Sequence, residues 1–185
     1  VNFREANLSQ SILKEAKLGE ADLSGADLTN ADLSGADLSG AKLGGAKLAG
    51  ANLAGIKLIR SDLYGWDFNR FMLIGANLRW SKFAGTCFKG ANLRGANLEK
   101  NDLRNADFSG ADLTEANLCD ADFNKANLSN ANLSGAVAKR VNFLKANLTG
   151  TNFNGANLSG SIMKKANFDN RGIFERANCQ GCEWN

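Results

Sequence analysis

The chain has 185 residues, a net charge of +3 and 44% hydrophobic residues, which suits one domain with an ordinary capacity for a core. It contains no proline and no histidine. The first absence fits a backbone whose N–H groups are all needed in a ladder, and the second removes the usual general base and the commonest metal ligand. No run of 18 apolar residues occurs, so no membrane span is expected. The small net charge names no partner.

From Phe3 the chain is periodic. Every fifth residue through Phe168 is Leu or Phe at 32 of 34 positions, with Ala138 and Met163 the exceptions. A small residue, usually Ala, lies two places before each centre, Asn or Asp lies one before, and Gly is common two after. An α-helix is excluded, because a period of five would spiral the leucines over every face. Alternation with period two fails as well.

Ala21-Asp22-Leu23-Ser24-Gly25 and Ala156-Asn157-Leu158-Ser159-Gly160 show the unit most plainly. The whole chain resembles the pentapeptide-repeat family, A(D/N)LXX. That resemblance implies an all-β, right-handed, four-sided parallel β-helix of about nine 20-residue coils, formed as a single domain over residues 1–185. Each pentapeptide would be one side, with the centre and the small residue inward. The charges support the 20-residue turn separately. Asp22, Lys42, Asp62, Lys82 and Asp102 alternate in sign at that spacing, as do Asp27, Lys47 and Asp67, and Asp37 with Lys57. Opposite charges across adjacent strands stabilise. Asn127, Asn147 and Asn167 are expected to form a side-chain ladder.

Along the chain, Asp22, Asp27, Asp32 and Asp37 place one carboxylate on each side of one coil. They point apart, so they cannot flank one substrate. The consensus breaks most over residues 56–90. Ile56, Trp66 and Phe71 take small-residue sites, and Ile59, Tyr64, Met72, Ile74 and Trp80 take outward sites. For Trp66 and Phe71 two readings stand: a contact surface, or a locally fatter core with bulges that swing the rings inward. Tyr64 and Trp80 are read as contact residues. Trp80 lies in a column between Arg60 and Lys100, with Arg79 beside it and Lys57 on the same face. Cations around an indole form cation–π contacts and suit an acidic partner; one aromatic residue is weak support for nucleic acid.

Charge is banded, with −4 over residues 1–40, +7 over 41–100, −4 over 101–120 and +4 over 121–185. Lys125, Lys145 and Lys165 stack like charges 20 apart, a mild cost. Near Asn170 and Arg171 one extra residue shifts the register, leaving a last coil at 172–185 with centres Phe174, Cys179 and Trp184. Cys179-Gln180-Gly181-Cys182 is a CxxC without a second pair or histidines, so it is read as structural rather than as a zinc or redox site. Solenoids usually cap their ends, and apolar residues finish this chain. Two expectations follow: an end-to-end contact with a second copy through Phe174 and Trp184, giving a homodimer, or flanking sequence that covers the end.

No catalytic, cofactor or metal residues emerge. The sequence points to a non-enzymatic scaffold about 45 Å long, from nine rises of ~4.8 Å, that presents a stiff surface to a protein partner. Some members of the family mimic acidic duplex DNA and modulate DNA gyrase; the positive charge here disfavours that alternative. The compartment, cytoplasmic or periplasmic and lumenal, stays open.

Overall fold

Each pentapeptide closes with the same turn. The carbonyl of the central residue accepts from the N–H three residues on, as with Ala26 N to Leu23 O at 2.9 Å. The residue two after the centre has positive φ, as at Gln10 (59°) and Gly25 (70°). This is the type II turn, which requires φ > 0 at its third position and explains why glycine recurs there. Among the described residues, eighteen non-glycine residues hold the same conformation, at about 1–2 kcal/mol each for an L-residue.

The consensus Asp or Asn has a local task as well. Its side-chain oxygen accepts from the backbone N–H two residues on, as in Ser24 N to Asp22 Oδ1 (3.1 Å) and Ser129 N to Asn127 Oδ1 (3.1 Å). This is an Asx turn, which fixes the corner without using a ladder group.

In this computed structural model, residues 1–169 and 174–184 are described. Four pentapeptides make one coil, and residue i pairs with i+20 in parallel through isolated bridges such as Asp22↔Lys42 and Asp107↔Asn127. We number coils 1 to 8 over residues 1–160 in steps of twenty, and sides 1 to 4 from the centres Phe3, Leu8, Leu13 and Leu18. No helix occurs among the described residues. The register slip at 170–171 lies outside them, but the offset beyond it is 21, at Asn157↔Asn178 and Ile162↔Glu183. One additional residue is thereby absorbed.

Leu and Phe centres fill the interior. On side 2, Phe68, Phe88 and Phe108 stack at 5.3 and 4.6 Å. Centres from Leu18 to Met163 are buried, whereas Phe3, Leu8, Leu13 and Phe168 are only half-buried and Trp184 is 45% exposed. The expectation of fully inward centres therefore fails in the first and last described coils, which have a neighbour on one side only.

Several small-residue sites carry hydroxyls with a common geometry. Ser81, Thr86, Thr151 and Ser161 each donate to the carbonyl 23 residues back, at 2.7–2.9 Å. A buried polar group is tolerated when so paired. Cys182 continues this pattern past the extra residue, its thiol 3.0 Å from Leu158 O. Cys179 is half-buried, and desolvation first, then the neighbouring Cys182, raises its pKa. Both thiols thus contribute to the wall.

Among the described residues the ladder fails between two neighbouring coils. Between coils 3 and 4 the bridges expected at 42/62, 47/67 and 52/72 are absent, while Asp37↔Lys57 and Lys57↔Asn77 on side 4 are intact. No partner is present for the N–H groups of Leu43, Gly45, Leu48, Gly50 and Leu53, nor for those of Asp62, Asp67 and Met72. One coil higher all eight equivalent bonds form, from Leu63 N to Lys82 O (2.9 Å) through Asn92 N to Phe71 O (2.9 Å). The two coils therefore lack bridges along three sides; they are joined along the fourth and at the corner leading into it, where Gly55 N donates to Ile74 O at 2.8 Å.

The residue types give a reason. Coil 3 has the smallest wall of the rod, with Gly44, Gly45, Ala46, Ala49, Gly50, Ala51, Ala54 and Gly55. Coil 4 sets Trp66 and Phe71 against it at sites where Ala is usual. Both rings are half-buried and pack on Phe68, each at 5.7 Å between centroids. Neither is carried by a bulge, since the five-residue register and its positive-φ corners continue through Gly65, Arg70 and Gly75. The rings pack on the core as the fatter-core reading expects, but without the bulges that reading supposed.

This opening also corrects the charge columns. Alternation yields the ion pairs Lys82–Asp62 (3.6 Å) and Lys47–Asp27 (3.9 Å), but the columns are interrupted between Lys42 and Asp62 and between Lys47 and Asp67. The asparagine ladder is shorter than expected too. Asn147 donates to Asn127 at 3.2 Å, whereas Asn167 donates to Thr149 Oγ1 at 3.4 Å.

Candidate interaction surface

Trp80 stands at the corner after Leu78, with φ of 61° and 39% of its surface exposed. Other non-glycine residues at positive-φ corners are polar or charged; Trp80 alone among the described ones is aromatic. Bulky residues rarely adopt this conformation. Its backbone is held by Trp80 N to Glu99 O at 2.9 Å.

Three cations surround the indole. The guanidinium carbons of Arg60 and Arg79 lie 4.7 and 5.2 Å from the ring centroid, and Lys100 Nζ lies 6.0 Å away. Stacking i with i+20 places Arg60 below and Lys100 above, and Arg79 is the preceding residue. Lys100 also pairs with Glu99 at 3.9 Å. Neither Arg60 nor Arg79 forms an ion pair among the described residues, and Arg79 Nε is shielded from solvent without a hydrogen-bond partner. A shallow groove of about 400 Å³ runs beside them, lined by Glu20, Ser39, Gly40, Ile59, Arg60, Arg79 and Trp80.

The structure does not bring all six expected residues together. Lys57 is on side 4 beside Asp37, whose carboxyl is held below its ordinary range by the Ser39 hydroxyl and N–H and, more weakly, by Lys57. Tyr64 is 73% exposed at the next corner, without a ring contact to Trp80. Phe174 and Trp184 do meet, at 6.0 Å, and Phe168 lies 5.7 and 5.9 Å from them.

Sequence reasoning missed Ile59 as a wall of the groove; it is half-buried rather than projecting. It also missed the cleft at the opened seam. That cleft, about 480 Å³, is lined by Gly45, Ala46, Leu48, Ala49, Trp66, Asp67, Asn69 and Phe71. A smaller one of about 200 Å³ continues from Asn69 and Phe71 to Gly50, Ala51 and Met72. The only advance signal was the bulk of Trp66 and Phe71 at small-residue sites.

The acidic ring of coil 2 is spread over four sides, and Asp22, Asp27, Asp32 and Asp37 each serve their own corner. All four carboxyls are held below the ordinary range, first by the hydroxyl and then by the N–H of the residue two on. Among the described residues no three Cys, Asp or Glu side chains converge as a metal site, and no helix is long and apolar enough to cross a membrane.

The family model for pentapeptide repeats matches residues 2–40, 36–71, 67–99, 102–137 and 142–170. The chain belongs to the pentapeptide-repeat family. Among solved structures, it is similar to HetL, a pentapeptide-repeat protein involved in heterocyst differentiation regulation in the cyanobacterium Nostoc sp. strain PCC 7120. The TM-score is 0.81 at 29% identity, over 99% of this chain and 86% of HetL. A pentapeptide-repeat protein of the Arabidopsis thaliana thylakoid lumen is 40% identical over 53% of this chain and 68% of its own, with a TM-score of 0.51. The plasmid-mediated fluoroquinolone resistance protein QnrB1 shares the fold at 21% identity and a TM-score of 0.51, over 94% of this chain and 86% of its own. No curated protein sequence matches the chain. The likeness to HetL implies a right-handed, four-sided β-helix for the coil described above.

Proposed function

We propose that this pentapeptide-repeat rod is a non-catalytic scaffold whose right-handed, roughly nine-coil β-helix presents the Trp80 corner to an acidic protein surface. The observation that carries this reading is the exposed indole, held at positive φ among Arg60, Arg79 and Lys100, with neither arginine neutralised by a carboxylate. Aromatic and arginine side chains are enriched where protein interfaces concentrate their energy. The surrounding stretch, residues 41–100, carries +7, which attracts an acidic partner and speeds encounter. HetL, similar over nearly the whole chain, is a protein of regulation by its description. The same positive stretch weighs against mimicry of a nucleic acid.

The test is affinity capture from cells of the source organism with the wild-type rod and with Trp80→Ala and Arg60→Glu. A partner that elutes with salt and is lost with both variants, while thermal unfolding of the rod stays cooperative, is the expected result. A partner retained equally by all three proteins would refute this surface.

A further inference from the structure

We propose that the opened seam between coils 3 and 4 is an acceptor for an extended peptide strand, bound by backbone pairing on side 2. The inference is independent of the Trp80 corner. Eight N–H groups along the two lips lack partners, together with the carbonyls of Ala41, Ala46 and Ala51 on one lip and of Asp62, Asp67, Asn69 and Met72 on the other. Strand edges with free donors and acceptors at this spacing are templates for another polypeptide backbone. A small organic ligand does not carry alternating N–H and C=O groups over a whole side.

The geometry selects side 2. Side 4 remains paired, through Leu58 N to Asn77 O (2.9 Å) and Asn77 N to Ile56 O (2.8 Å), and the corner before it through Gly55 N to Ile74 O (2.8 Å), so the opening lies away from side 4. There the 480 Å³ cleft lies, floored by Ala46 and Leu48 and roofed by Trp66 and Phe71. A strand entering here would lay one apolar side chain against Trp66 and Phe71 and leave its flanking residues outside. The lips carry Lys47 and Asp67, opposite charges that together favour a partner strand neutral at that position, such as one with Asn or Ser. Strand addition elsewhere on the rod needs an end, because every other pair of adjacent described coils is bridged.

A defined probe exists within the chain. Residues 104–112 cover side 2 of coil 6 with its two flanking corners, and the side is hydrogen-bonded on both edges, with Phe108 N to Asn127 O at 2.6 Å and Phe88 N to Asp107 O at 2.6 Å. An acetylated and amidated peptide of that sequence is titrated into the full-length ¹⁵N-labelled protein. The expected result is saturable amide shifts at Leu43, Gly45, Leu48, Gly50 and Asp67. N-methylation of the peptide at its Phe should weaken binding at least tenfold, and Trp80→Ala should leave it unchanged. The double variant Trp66→Ala, Phe71→Ala restores the usual small residues, and it should close the seam and abolish the shifts. If that variant does not fold, the N-methyl comparison on the wild type still decides. Shifts confined to coil 1 or to Cys179–Trp184 would mean that the peptide extends only the rod's ends, and would overturn the proposal. An absence of shifts at millimolar peptide would do the same.

Discussion

Coils 3 and 4 are made from the same five-residue unit as coils 6 and 7, over residues 101–140, yet they are held together differently. In coils 6 and 7, Ala106, Ala111, Ala121 and Ala126 stand at the small sites, and every side is bridged. In coils 3 and 4, two of the corresponding sites hold Trp66 and Phe71, and three sides lack their bridges. The centres are Leu or Phe in both regions, apart from Ala138 in coil 7. The comparison teaches that the centre provides the core but the small site sets how closely coils approach. Ala there allows the ~4.8 Å rise of adjacent strands, whereas Trp66 and Phe71 leave coil 4 bridged to coil 5 but, over the glycines and alanines of coil 3, not to coil 3 on three sides.

The largest expected effect separates the two regions with one substitution. Leu118→Ala, at a fully buried centre in coil 6, should destabilise by about 3–4 kcal/mol, because flanking coils cannot collapse on the cavity. Leu48→Ala, at a centre 8% exposed and open to the cleft, should cost about 1–2 kcal/mol, since water already reaches the site. Urea denaturation measures both. Equal costs would mean that the seam packs as tightly as the rest.

A smaller and opposite effect is expected at a corner in the paired region. Lys145 has φ of 60° and shares its column with Lys125 and Lys165. Lys145→Gly removes left-handed strain and one like charge, against glycine's greater entropy when unfolded. A net gain of about 0.5–1 kcal/mol in the same denaturation assay is the expected sign. A loss would show that the corner is not strained.

Acid should act unevenly along the rod. The carboxyls of Asp22, Asp27, Asp32 and Asp37 are lowered on folding from the usual 3.8, chiefly by the hydroxyl of the residue two on. A depressed folded pKa contributes stability that is complete above the unfolded value. It is lost as pH falls from about 4 toward the folded value. In coils 7 and 8 the same turns are made by Asn127, Asn132, Asn142 and Asn147, which do not titrate. The melting temperature should therefore fall more between pH 7 and pH 3 for the wild type than for a variant with all four aspartates replaced by Asn. Parallel curves would remove the carboxylates from the account.

The smallest effect concerns the last described coil, where Trp184 is 45% exposed against Phe168 and Phe174. We propose weak self-association there. Light scattering over a concentration series should show an apparent mass that rises, and rises less in Trp184→Ser. A constant monomer mass in both would exclude it.

Much of this was legible in the residues. The five-residue period named the centres that are buried from Leu18 to Met163, and alternating charges 20 apart gave the coil length that the bridges show. The Trp80 column was readable because stacking at i+20 is set by the backbone alone. The seam was not readable. Trp66 and Phe71 stood out as oversized, but whether a ring bulges, turns outward or parts two coils depends on the volume available above and below it. That volume comes from residues twenty places away, including the glycines and alanines of coil 3. Tyr64 fell away from the Trp80 corner for a related reason, since sequence proximity within a coil includes a turn to another side; Lys57 is on the same side as Trp80 but stands beside Asp37. The hydroxyls of Ser81 and Ser161 were hidden by reading their sites only as small.

Amide hydrogen exchange resolved by residue tests the seam most directly. The account predicts that Leu43, Leu48 and Leu53 exchange at least a hundredfold faster than Leu103, Phe108 and Leu113, their equivalents three coils higher, while Leu58 on the joined side stays protected. Equal protection of the two sets would mean that coils 3 and 4 are paired on all four sides, and would contradict the comparison on which the account rests.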